Sequence, residues 1–249
     1  MWLRDFTEAQ RLLAWQLGLS RQIPDIAKVI HLGTTTYYPD ANPETTTVDG
    51  YVRRGAVDQT FANIRAGAGT ASGDTDTNVD MRLDASTTTD QFALLDRHII
   101  LFDASSIPDT DVISTATLSA FGQSKANAIG SPDYHIAAST PASNTALVYA
   151  DFSQVQTTSF GSITYANWST SAYNDVVLNA SGISNISVTD ISKFSSQLSW
   201  DINASFTGTW SSAANSLFGE YFADQTGTTN DPRLTVIVTE GSGLQSKYW

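Results

Sequence analysis

The chain has 249 residues, no cysteine and a formal net charge of -12, from 13 Lys plus Arg against 25 Asp plus Glu. Ser and Thr number 29 and 31, and charged residues make up 15% of the chain, well below the ~25% of an average soluble protein. This balance argues against nucleic acid and anionic membrane surfaces as partners, since both need clustered Lys and Arg. The missing cysteine excludes disulfides and cysteine-ligated zinc or iron–sulfur sites.

Aromatic residues at 10% supply enough apolar surface for a sizeable core. No stretch approaches the ~18 apolar residues of a membrane-spanning helix. Asp5 and Glu8 stand where a signal peptide would be basic. Leu12–Leu19 is short and is broken by Gln16 and Gly18, so a leader sequence is not expected.

Residues 1–33 read as a helical segment. Thr7 and Gln10 form a Thr-x-x-Gln capping box. Ala9, Leu12, Leu13 and Leu17 follow at helical spacing, and Gly18 suits a left-handed stop. Around Pro24, Ile23, Ile26, Ala27 and Ile30 make a second apolar stripe. A helix this short is marginal alone, so it must dock on its own domain, a sister subunit or a larger assembly. Phe6, Leu12, Leu13 and Leu17 are its candidate anchor residues.

Residues 34–240 read as β structure with turn punctuation. In chain order the expected strands are Thr46–Arg53, Thr60–Arg65, Asp96–Phe102, Val112–Phe121, Tyr134–Ala138 and Ala146–Tyr149. Ser159–Trp168, Asn174–Leu178, Lys193–Gln197, Leu217–Phe222 and Arg233–Thr239 follow. Asp74–Asp90 is polar and Thr-rich and reads as a long excursion loop or hairpin, and Ala180–Ile186 as one helical turn. Pro108, Pro132, Pro141 and Pro232 fall between strands or at their starts, where sheets tolerate proline. So many short strands without helical periods imply a mainly β fold: a two-sheet antiparallel sandwich of the jelly-roll type. Residues 241–249 form a tail.

Leu101-Phe102-Asp103-Ala104-Ser105-Ser106-Ile107-Pro108 leads through Asp111–Ser114 into Ala116-Thr117-Leu118-Ser119-Ala120-Phe121. This resembles the signature of DNRLRE-type jelly-roll domains, which are similar to certain carbohydrate-binding modules. Pro232-Arg233-Leu234-Thr235-Val236 resembles that family's closing strand, and Thr47–Val52 its first. Thr35–Asp40, Val48–Gly50 and Asn174 through Asn179–Ile183 have the flavour of structural proteins of tailed bacteriophages. The resemblance implies a virion protein that leaves its host by lysis.

Read physically, the signature is structural. Asp103, Ser105 and Ser106 can bond the backbone of the following turn. Ile107 can plug the sandwich, Pro108 forbids further pairing, and Ala116, Leu118 and Ala120 share one face.

Candidates for chemistry are sparse. His31, His98 and His135 show no metal-ligand spacing, and no Gly-x-Ser-x-Gly motif accompanies them, so a catalytic triad is not expected. Asp201 beside Trp200 and Glu220 beside Tyr221 are the most suggestive acids for glycosidase chemistry, and they read as solvated strand ends. Asp74, Asp76, Asn78 and Asp80 place alternating oxygens in a loop that suits calcium, or equally a solvated acidic loop. Trp168, Trp200 and Trp210, with Tyr165, Tyr173 and Tyr221, offer flat apolar faces on which sugars dock, or rings that fill the core.

The resulting expectation is a non-enzymatic virion structural protein, for capsid decoration or for a tail or fibre. It needs no cofactor, with calcium the one candidate. Residues 1–33 anchor it to other virion proteins or to sister subunits in a homo-oligomer. The jelly roll projects from the particle exterior toward host-surface glycans. The alternatives are a secreted or surface carbohydrate-binding module and a subunit of an extracellular filament.

Overall fold

A computed structural model describes residues 33–240. The expected N-terminal helix, with Phe6, Leu12, Leu13 and Leu17, lies outside the described residues, as does the tail 241–249.

The described chain is mainly β. Its strands are β1 (Gly33–Tyr37), β2 (Asp49–Gln59), β3 (Ala71–Gly73), β4 (Asn78–Ala85), β5 (Phe92–Asp103) and β6 (Asp111–Asn127). They continue with β7 (Tyr134–Ala138), β8 (Gly161–Ile163), β9 (Tyr173–Val177), β10 (Ile191–Leu198), β11 (Asn215–Tyr221) and β12 (Arg233–Glu240). Three short helices interrupt them: α1 (Phe61–Ala66), α2 (Ala180–Ser184) and α3 (Ser199–Ile202).

All the strand pairings are antiparallel. The hydrogen-bonded path runs β1-β12-β6-β11-β4-β5-β10-β7-β8, with β2 and β3 attached at β5, and β9 on β6. The long strands β5 and β6 organise it. β5 pairs with β2, β4 and β10, and β6 pairs with β12, β9 and β11. The sheet curls into a half-barrel, so β11 faces β7: the rings of Phe218 and Tyr134 meet edge to face at 5.8 Å. Fully buried Leu83, Leu95, Ile99, Phe102, Phe194 and Phe218 belong to one hydrophobic core. Each such side chain contributes about 1.5–3 kcal/mol through burial.

The Asp103–Pro108 turn follows its chemistry. The Asp103 carboxylate accepts from Ser105 N–H at 2.9 Å, and Ile107 is buried. Ser106 departs from expectation, because its hydroxyl meets Tyr37 Oη at 3.1 Å instead of its own turn. Ala116, Leu118 and Ala120 are buried together.

Several local expectations are corrected. Thr60–Arg65 is not a strand. Thr60 caps α1, its Oγ1 accepting from Asn63 N–H, and only Ile64 of that helix is buried. The Asp74–Asp90 excursion contains β4, a central strand between β11 and β5. Its polar Asp80, Arg82 and Asp84 alternate with buried Met81, Leu83 and Ala85. Ala146–Tyr149 pairs with no strand. Side chains hold it, with Asp74 accepting from Leu147 N–H and Asp151 from Val148 N–H. Ser159–Trp168 shrinks to β8 followed by a 3₁₀ turn at Tyr165–Asn167.

Candidate functional site: an aromatic and arginine patch

Strict alternation along β6 turns Ala116, Leu118 and Ala120 inward and sends Phe121 outward. There it stands in register with Tyr173, the first residue of β9, with ring centroids 5.2 Å apart and planes at 82°. Tyr221 of β11 closes on Phe121 at 5.9 Å. The guanidinium of Arg233, the first residue of β12, lies 3.6 Å over the Tyr173 ring. All four side chains are half-buried.

The patch is held from behind. Buried Asn174 donates through Nδ2 to the carbonyls of Ala120, Ser169 and Ala172, and its Oδ1 accepts from Ser169 N–H. This folds the 169–172 loop against Gly122, whose N–H donates to Ala172 O. A Cβ at Gly122 would stand 2.0 Å from Ser169 O, so only glycine allows this approach. The Tyr173 hydroxyl is tied to the carbonyls of Thr229 and Asp231 at 3.0 and 3.1 Å. Burial raises its pKa, against the opposing pull of Arg233. Fixed rings beside a fixed cation can stack on an apolar ligand face and donate hydrogen bonds at its edge.

Of the aromatic residues singled out from sequence, Tyr173 and Tyr221 belong to this patch. Trp168 is buried at 2% exposure, packed on Tyr134 and Phe218 at 4.7 and 4.9 Å. Trp200, at 4%, packs on Phe206 and donates Nε1–H to Thr207. Neither ring leaves a face open to a sugar. Tyr165 is half-buried between Lys125 and Phe218. Half-buried Trp210 donates Nε1–H to Gln91 O at 2.9 Å. Phe121 and Arg233 went unrecognised because no local motif joins them. The alternation of β6 was the signal that pointed to Phe121.

The two suggestive acids are not solvated strand ends, since both are fully buried. Asp201 is gripped by Arg97 through Nε at 2.6 Å and Nη2 at 2.9 Å, and by Arg65 Nε at 2.8 Å. Glu220 accepts from Tyr134 Oη at 2.7 Å and Ser196 Oγ at 3.2 Å, and pairs with His98 Nδ1. His98 Nε2 is buried without a partner. The other described histidine, His135, is half-buried and meets Ser159 Oγ through Nδ1 at 2.8 Å. Its pKa is lowered by burial. His31 lies outside the described residues.

The calcium candidates are divided between a turn and a strand. Asp74 and Asp76 sit after β3, while Asn78 and Asp80 are in β4, where Asp80 accepts from Ser124 Oγ. Among the described residues no group of three or more His, Asp or Glu is placed to hold a metal.

Carboxylates do crowd one end of the molecule. Burial raises the pKa of Glu44, Asp49, Asp224 and Asp231, and neighbouring acids push each of them further up. Asp40 is the exception. Burial pushes it up, but hydrogen bonds from Thr45, Thr46 and Thr47 outweigh that and hold it below its usual value.

No family model matches the chain, and no curated protein matches it.

Proposed function

We propose that the chain is a non-enzymatic structural protein of a bacteriophage particle. In this reading residues 34–240 form a single jelly roll of the DNRLRE type that projects from the particle exterior and binds host-surface glycans. Residues 1–33 attach it to other virion proteins or to sister subunits.

The observation that carries the reading is the signature from Leu101 to Phe121. It occupies the end of β5, a tight turn and the start of β6, and its Leu101, Phe102, Ala104, Ile107, Ala116, Leu118 and Ala120 are buried. The pairing pattern supports the two-layer form of the fold. β1, β12 and β9 gather on the first part of β6, and the remaining strands connect to them through its second part. The aromatic and arginine patch supports the glycan-binding part.

Purified particles test the assignment. The chain is expected in them by mass spectrometry, and antibodies against it should label their surface. Deleting residues 1–33 should abolish incorporation, and normal incorporation of the truncated chain would overturn the anchor. The patch also favours a second reading, a free carbohydrate-binding module. That reading predicts glycan binding by a protein that particles lack.

A further inference from the structure

The described residues contain eight basic side chains outside histidine. Arg53, Arg65, Arg82 and Arg97 each lie within 4.0 Å of a carboxylate. Arg54 bonds Gln59 and the Ala68 carbonyl, Lys125 bonds the carbonyls of Tyr165 and Trp168, and Lys193 that of Pro141. Among the described residues Arg233 alone has neither a carboxylate within that distance nor a side-chain hydrogen bond, and its Nε is buried unpartnered. In a chain with 25 acids this is notable. Nor is the side chain loose, because its guanidinium is stacked on Tyr173, which is itself tied down at its hydroxyl.

A fixed guanidinium without a partner is a fork ready for a planar, two-oxygen acceptor. The acids that sequence and register bring near it do not fill it. Asp231 is buried and accepts from Gln225 Nε2. Asp175 stands across Ser119 in register, two strand spacings or about 10 Å away. That leaves Asp175 free to accept from a hydroxyl on the far side of the same ligand. The net charge of the chain opposes an anion only at long range, where salt screens it beyond about 8 Å.

We infer that Arg233 is the anion-reading group of the patch, and that the patch takes glycans carrying a carboxylate, such as sialylated or uronic-acid sugars. This rests on the glycan-binding reading above. The carboxylate lies on Arg233, and the apolar face of the sugar lies on Phe121 and Tyr221.

The test is calorimetric titration of the full-length protein with matched pairs: sialyllactose against lactose, and oligogalacturonate against its carboxyl-reduced form. The acidic member should bind at least about tenfold more tightly. Arg233→Met should bring the acidic member down to the affinity of the neutral member. Arg233→Lys should restore only part, because an ammonium lacks the fork. Circular dichroism should be the same for all variants. Equal affinity within each pair, with Phe121→Ala weakening both members, would overturn the role of Arg233 and leave glycan binding standing. If no member of either pair binds, the inference falls. If a broad glycan array is also blank, glycan binding falls with it.

Discussion

Glu220 shows how much one side chain decides. It sits at the centre of the curl and joins β11 to β5, β7 and β10 through His98, Tyr134 and Ser196. Glu220→Ala would leave those groups buried and unpaired, and it should cost about 3–5 kcal/mol by urea denaturation. Tyr134→Phe removes one hydrogen bond to a charged acceptor and should cost about 1.5–3 kcal/mol. Asp201→Ala strips the shared acid from two arginines and should cost as much as Glu220→Ala, about 3–5 kcal/mol in the same assay. That Glu220 shares a strand face with Phe218 was legible, although beside Tyr221 it read as a solvated strand end. Its partners were not, because His98 and Ser196 lie 122 and 24 residues away in the chain.

At the scale of elements, alternation was a sound guide where apolar residues marked one face. Tyr134–Ala138, the start of β6 and β12 read correctly for that reason. β4 was hidden because charged Asp80, Arg82 and Asp84 fill its outer face, so the segment reads as a loop or hairpin excursion although Met81, Leu83 and Ala85 keep period two. β6 reads short because a register shift opposite Gly219 and Glu220 breaks the pattern after Gly122. Gly122 is also the hinge of the aromatic patch. Gly122→Ala should force the 169–172 loop outward, cost about 1–3 kcal/mol and displace Tyr173. Denaturation would measure the first effect, and loss of the Arg233-dependent acid preference the second.

For the whole molecule, the acidic character has a consequence for stability. Acids whose pKa rises on folding favour the folded state while protonated. For Glu44, Asp49, Asp224 and Asp231 that stabilisation is full below about pH 4 and fades as pH climbs through the raised values. Asp40, held low, loses its contribution only below that range. The midpoint of thermal unfolding should therefore rise as pH falls from 8 to about 5. Asp49→Asn, which can still accept from Ala223 N–H, should stabilise the protein at pH 8 and flatten the dependence. Composition and periodicity by themselves determined a mainly β chain without disulfides. They also placed the Leu101–Phe121 signature at a strand end. Only the tertiary structure decided which acids are buried, which tryptophans are core, and which arginine stands unpaired beside aromatic rings. Alternation assigns each residue to a face, whereas these properties depend on which distant strands the antiparallel register brings together.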